Sequence, residues 1–510
     1  MDKNQSMRMA RKQDKKKLYE KVADRLTKMI NKGTLKPGDR IPSIRQMGKQ
    51  MSVAVSTVLH AYQLLEDGGL IEARPQSGYF VRPKHVRRVT QTQVPLEPEK
   101  LPLPLKVGSP KIQDVLAIAD NMAGRGDTGQ ICAAIQAAEF LPTEAINNHL
   151  RRSVRNNPVQ ASQYEVGLGL KTLRERVARR AMDSGCGLGA KEIVITNGTT
   201  EALLLALRAI TEPGDTVAVE SPCYFGFLSL LDMLALKVVE VSTDPRTGLS
   251  IEQLEKLIQH KRVSVKTLIV NANVHNPLGS IMPDENKRRM VELMRRARLP
   301  IIEDDTYGDL AFGVQRPRCV KAFDESGNVI LCSSFSKTIA PGYRIGWMAA
   351  GRWHDRVVEF KCRSSLGTAV PPQMAIASYL GTGGFDAHLR RLRRTYCDQI
   401  KLLSDAVRRH FPDGTRATKP KGGHLLWVEL PEAVDTNLLH NQLGAQNIRI
   451  PPGSVFSAGG HYRNCVRLNA AVVWNKRVEN AIEAIGRLAG AATGRKRERR
   501  KAAQPTKDLQ

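Results

Sequence analysis

The 510-residue sequence contains no apolar run of 18 residues, so it offers no stretch long enough to span a bilayer as a helix. Its opening, MDKNQSMRMARKQDKKK, is polar and basic and lacks the apolar core of a signal peptide. Cysteine is sparse. The eight residues (Cys132, Cys186, Cys223, Cys319, Cys332, Cys362, Cys397 and Cys465) form no C-x-x-C pair, which argues against a disulfide framework and reads as reduced thiols of a cytoplasmic chain without membrane contact. The eleven histidines make no zinc-type spacing, and no metal site is expected. No internal repeat is present. Acidic residues are scarce: 50 Asp and Glu face 78 Lys and Arg, a formal charge of +28 that implies an anionic partner such as nucleic acid. Part of the excess is local, with 21 basic and 10 acidic side chains in residues 1–105 and 7 against 2 in residues 488–510. What remains, 41% hydrophobic and 25% charged, is ordinary globular composition in a chain long enough to bury a large core.

Prolines divide the chain. Pro83, Pro95, Pro98, Pro102, Pro104 and Pro110, with polar fillers between them, predict an extended linker over 83–111. It separates a small unit, 18–82, from a large one, 112–488. Residues 1–17 and 489–510 are too polar to pack and are expected to be disordered basic extensions. In the large unit short apolar runs (193–196, 217–219, 238–241, 268–270, 301–302 and 329–331) alternate with helix-length segments. That alternation predicts an α/β domain with a mostly parallel sheet.

In the small unit Leu18, Val22, Leu26, Met29 and Ile30 fall at helical spacing, and Gly33 and Pro37-Gly38 end the helix. Ser43 and Gln46 form a capping box opening a short helix to about Met51. A third helix, about 54–67, puts Val58, Tyr62 and Leu65 on one face and Ser56, Thr57, His60 and Gln63 on the other. Strands over 70–74 and 79–81, joined by Pro75-Gln76-Ser77-Gly78, complete a winged helix-turn-helix, whose third helix enters the major groove of double-stranded DNA. The run LKPGDRIPSIRQM…VAVSTVLHAYQLLEDGGLIEARPQSGYFV resembles the DNA-binding domain of the GntR family of bacterial regulators. The resemblance implies that Arg45 contacts phosphate or a base edge, that Ser56, Thr57 and His60 present the recognition helix, and that Gly78 lets the wing approach DNA. Val55 stands where that family usually carries arginine.

In the large unit SSFSKTIAPGYRIGW sets Ser334, Ser336, Lys337 and Arg344 in one loop after the run 329–331. A lysine that carries pyridoxal 5'-phosphate needs a carboxylate for the pyridine nitrogen and donors for the phosphate. Asp304, at a strand end, supplies the first, and Tyr307 and Asn276 can share the phenolic oxygen. Gly198, Thr199 and Thr200 lie between the strand 193–196 and a helix expected near Glu201, an anion site that Ser334, Ser336 and Arg344 would complete. Tyr224 offers a ring to stack on the pyridine. The set resembles the fold-type I aminotransferases over residues 112–488. That resemblance further implies that Arg467 grips a substrate carboxylate and that Tyr164 reaches the phosphate of a partner subunit, hence a homodimer.

A GntR-type module joined to an aminotransferase-like domain is similar to the MocR subfamily of regulators. The expected function is a transcription regulator whose Lys337 carries pyridoxal phosphate and which senses an amino acid, another amino compound or the cofactor itself. The alternative is an active pyridoxal-phosphate-dependent aminotransferase with an attached DNA-binding domain.

Overall fold

The chain separates into two units at Arg88, in a computed structural model that describes residues 18–31, 33–36, 38–67, 70–74, 78–81, 90–91, 103–106, 131, 133–260, 262–313 and 315–502. In the first unit α1 (Leu18–Asn31) turns Val22, Leu26 and Ile30 inward. Helix α2 (Ile44–Met51) opens as the capping box requires: the Gln46 N–H donates to Ser43 Oγ at 3.3 Å and the Ser43 N–H to Gln46 Oε1 at 3.0 Å. Such a cap is worth about 1 kcal/mol. Helix α3 (Val55–Asp67) buries Val58, Tyr62 and Leu65, and the Tyr62 hydroxyl donates to the Pro42 carbonyl at 2.6 Å. Strands β1 (Ile71–Arg74) and β2 (Gly78–Val81) pair antiparallel, Glu72 opposite Phe80, as the wing; the turn at 75–77 lies outside the described residues.

The second unit holds two sheets. Strands β5 (Ile193–Thr196), β6 (Thr216–Ser221), β7 (Lys237–Asp244), β9 (Val265–Val270), β10 (Ile301–Asp304), β11 (Val329–Ser334) and β12 (Gly346–Ala349) join β4 (Leu105–Lys106) in the order β4-β7-β6-β9-β10-β11-β12-β5, with β8 (Gly248–Leu249) on β7. Every residue of β5, β6, β10 and β11 is buried, the mark of a sheet covered on both faces. Strands β7, β6, β9, β10 and β11 run parallel. Strand β12 is antiparallel to both β11 and β5, because the chain returns through the 335–345 loop without a crossover helix. The second sheet has the order β15 (Cys465–Asn469), β14 (Leu425–Glu429), β13 (Arg416–Ala417), β3 (Thr90–Gln91). Helices α4 (Gly198–Ile210) and α5 (His354–Ser364) cover the first sheet, while α6 (Gly384–His410) and α7 (Lys476–Ala502) lend their apolar faces to the core around β14 and β15.

Two segments differ from expectation. The proline-rich segment contributes strands: β3 and β4 lie inside 83–111, backbone pairing at sheet edges needing no apolar side chains. Apart from 103–104, the rest of that segment, the start of the large unit from 112 to 130, and residues 1–17 fall outside the described residues. At the other end α7 runs on to Ala502, so residues 489–502 are helical; Ile482, Ile485 and Ala489 are fully buried at helical spacing, and that register carries the helix past 488. Residues 503–510 are outside the description. Among the described residues no helix is long and apolar enough to cross a membrane.

Candidate pyridoxal phosphate site

The expected residues of the large unit stand at the carboxyl ends of the parallel strands, where doubly wound sheets bind ligands. Asp304 closes β10, the loop of Ser336 and Lys337 follows β11, and Asn276 follows β9. Three of the expected residues, Asp304, Asn276 and Arg467, are joined through one residue that the sequence did not single out. Asn271 Nδ2 donates to the Asp304 carbonyl at 2.6 Å, Asn271 Oδ1 accepts from the Asn276 N–H at 2.7 Å, and Asn276 Oδ1 accepts from Arg467 Nη1 at 3.2 Å. Arg467, on β15, is 2% exposed and lies 5.0 and 5.8 Å from the ring centroids of Phe456 and Phe225. Tyr307 is buried, its ring centroid 5.9 Å from Lys337 Nζ.

Burial and neighbours set the charges. Burial lifts the Asp304 carboxyl to about 6, against hydrogen bonds from Thr306. Burial, then Arg467 and Arg344, bring the Lys337 amine down to about 8, with Asp304 opposing. Lys337 Nζ donates to the Ala134 carbonyl at 2.6 Å, and Gln136 Nε2 donates to the Lys337 carbonyl at 2.8 Å. Tyr224 is half-buried beside Phe225 and Phe227, its hydroxyl pushed up by burial while Arg467 and Arg344 pull it down.

Around the loop after β5 the helix starts at Gly198, three residues earlier than the expected Glu201. Glu201 draws the turn in: its Oε2 accepts from the Asn197 N–H at 2.6 Å and its Oε1 from Asn197 Nδ2 at 3.1 Å. Gly198 has φ +77°, and a Cβ there would lie 2.4 Å from Arg344 Nη2. The Arg344 guanidinium also donates to the Asn197 carbonyl at 3.3 Å and reaches Ser336 Oγ at 3.4 Å. The first-turn amides of α4, Ser336 and Arg344 thus surround one helix N-terminus. The Ser334 hydroxyl is engaged with Ser336 Oγ at 2.8 Å and the Ile345 carbonyl at 3.2 Å, so it orients Ser336. Thr199 Oγ1 meets Thr306 Oγ1 at 2.9 Å, whereas Thr200 is exposed. Tyr164 stands apart, 86% exposed.

These residues fit pyridoxal phosphate. The Tyr307 hydroxyl is buried without a hydrogen-bond partner, Asp304 is a buried carboxylate within the field of the Lys337 amine, and Gly198 leaves the space beside Arg344 that a side chain would fill. Sequence reasoning missed Asn271, Thr306 and His424. The His424 imidazole packs against Tyr307 and Tyr396, its Nδ1 is 2.7 Å from Asn469 Oδ1, and burial and Lys337 hold it down at about 3. A lone histidine in KGGH carries no signal of this in the sequence.

In the first unit Arg45 and Ser56 are exposed and Thr57 is half-buried. His60 is exposed on the outer face of α3, as expected, and its ring stacks on Tyr19 with centroids 4.1 Å apart. Gly78 has φ +99°, and a Cβ there would come within 3.3 Å of Arg40 Nε.

A mostly parallel sheet with a lysine, a buried aspartate and a helix start beside an arginine at its strand ends defines an aminotransferase-like domain. Residues 136–485 match the family Aminotransferase class I and II, to which the chain belongs, and residues 18–81 match Bacterial regulatory proteins, gntR family. Over 470 residues the chain is 38% identical to the uncharacterized HTH-type transcriptional regulator YjiR of Escherichia coli, covering 92% of this chain and 98% of that one. It is 29% identical to the aromatic-amino-acid aminotransferase 1 of Thermococcus litoralis over 73% of this chain and 89% of that enzyme. The structure of LysN, the alpha-aminoadipate aminotransferase of Thermus thermophilus, complexed with N-(5'-phosphopyridoxyl)-L-leucine, superimposes with a TM-score of 0.69 at 26% identity, covering 76% of this chain and 96% of LysN. The chain is a GntR-type regulator fused to an aminotransferase-like domain, an architecture of the MocR type.

Proposed function

We propose that this regulator binds double-stranded DNA through its first unit and pyridoxal phosphate through Lys337, and that an amino compound, or the cofactor itself, changes its DNA affinity. The observation that carries the reading is the linkage Asp304–Asn271–Asn276–Arg467 beside Lys337 in a chain that also contains a winged helix. When bound, pyridoxal phosphate supplies an electron sink for bonds at the carbon bearing an amino group. The chain's own residues do the rest. Gly198, Thr199, Thr200, Ser336 and Arg344 hold the phosphate, with Ser334 behind Ser336. Asp304 keeps a proton on the pyridine nitrogen, Tyr224 covers the ring, and Tyr307 with the Asn276 amide donates to the phenolic oxygen. Lys337 supplies the amine for covalent attachment, and Arg467 takes a carboxylate in a two-pronged grip. Exposed Tyr164 suits a contact across a homodimer, to the partner's phosphate.

A ligand shifts DNA affinity only by binding one arrangement of the protein better than another. The test is the visible spectrum of the purified protein with pyridoxal phosphate, alone and with a panel of amino acids, against Lys337→Ala. A cofactor band absent from the variant, with slow or no release of oxo-acid and ligand-dependent DNA binding, supports the sensor. Oxo-acid release at catalytic rates supports the second reading, an active aminotransferase, which the complete set of Lys337, Asp304 and Arg467 favours.

A further inference from the structure

Helix α3 carries no lysine or arginine, yet it exposes three large apolar side chains, Val55 (54%), Leu59 (40%) and Leu64 (46%), the first two of them one turn apart at its start. They are not needed for the core, which takes Val58, Ala61, Tyr62 and Leu65 from the other side of the helix. The unit's exposed cations stand elsewhere: Lys21, Arg25 and Lys28 on α1, Lys36 and Arg40 between α1 and α2, and Arg45 and Lys49 on α2. His60 is drawn to Tyr19 by ring stacking. The start of α3 therefore presents an aliphatic pair in a unit whose other described elements expose the positive charge. A docking partner with a negatively charged rim and a small apolar target matches that pattern.

Duplex DNA supplies both. Phosphates line the rim of the major groove, and the thymine C5-methyl is the apolar feature on its floor; guanine would call instead for a forked cation or amide. Resting on the DNA-binding reading above, we propose that Val55 and Leu59 read thymine methyl groups in the major groove. The operator then carries A·T pairs, with thymine in a fixed strand, where the first turn of α3 docks.

The test starts with duplexes selected from a random pool by the full chain. Each thymine of the selected site is replaced in turn by uracil, which removes only the methyl group, and affinity is read by fluorescence anisotropy. Wild type is expected to lose roughly fourfold at one or two positions per half-site, the factor for one buried methyl-sized group. In V55A/L59A, which alters only exposed positions and keeps good helix formers, thymine and uracil sites bind equally. Val55→Arg shifts the selected base toward guanine at the same position. Equal binding of thymine and uracil sites by wild type, or discrimination that survives in V55A/L59A, overturns the proposal while leaving DNA binding itself intact. Failure of the full chain to enrich any duplex overturns both.

Discussion

Thr306 donates twice to one oxygen of Asp304: its N–H lies 3.0 Å and its hydroxyl 2.6 Å from Asp304 Oδ1. Both bonds fix the plane of the carboxylate and leave Oδ2 for a further partner. Even so, burial dominates and keeps the carboxyl at about 6.

Without cofactor, Asp304 is therefore a liability at neutral pH. An unfolded aspartate titrates near 4, so between about 4 and 6 the folded chain holds a proton that the unfolded chain has released. Its contribution to stability falls as pH rises through that window, by up to about 3 kcal/mol. Asp304→Asn is expected to melt higher than wild type at pH 8 in the cofactor-free state, with the gap closing by pH 4, and to lose pyridoxal phosphate binding. Equal melting at pH 8 in differential scanning fluorimetry would contradict this.

Lys337 works in the opposite direction. With its amine near 8, covalent capture of pyridoxal phosphate accelerates as pH rises through that value and levels off above it. Arg467→Met removes a neighbouring cation and moves the midpoint up. Stopped-flow absorbance against pH reads the shift, and an unmoved midpoint would separate the two residues.

Gly198 is the tightest point of the anion site. Gly198→Ala places a methyl group against Arg344 in a left-handed backbone, a strain of about 1–2 kcal/mol. Thermal melting should fall accordingly, and a titration should show affinity for pyridoxal phosphate reduced by tenfold or more.

Behind that site Lys361, its side chain 0% exposed, holds Glu201 Oε2 at 3.1 Å and Thr368 Oγ1 at 3.1 Å. Glu201→Ala strands a buried cation and is expected to cost about 3–5 kcal/mol in urea unfolding, whereas Lys361→Met costs clearly less. A larger loss in the methionine variant would reverse the assignment.

On the DNA side, exposed Arg45 is expected to act through charge. Arg45→Ala should weaken binding to all duplexes and lower the slope of log affinity against log salt by about 1. An unchanged slope would remove Arg45 from the phosphate contacts.

Where the chain writes its structure in local pattern, the sequence is legible. Helix α1 and strand β5 end where expected because Gly33 and Asn197-Gly198 punctuate them, and Lys337, Asp304 and Arg467 sit in motifs whose chemistry is recognisable residue by residue. Asn271 and His424 escape because their roles arise from segments brought together by the fold: His424 meets Tyr307 and Tyr396 only there. Thr306 acts locally on Asp304 and escapes because a threonine two residues on carries no signal of its own. Strands β3 and β4, two residues each, are too short for any periodicity. The polar composition past 488 masked an alanine register that extends α7.

The small sheet has a mechanical aspect. Arg467 belongs to β15 at one margin, and Thr90 belongs to β3 at the other. Between them lie β14 and β13, each hydrogen-bonded to the next. Three strand spacings, roughly 14 Å, part Arg467 from Thr90. Any tilt of this sheet around a carboxylate on Arg467 turns β3 through the same angle, so a grip on one margin is carried to the other without a hinge between them.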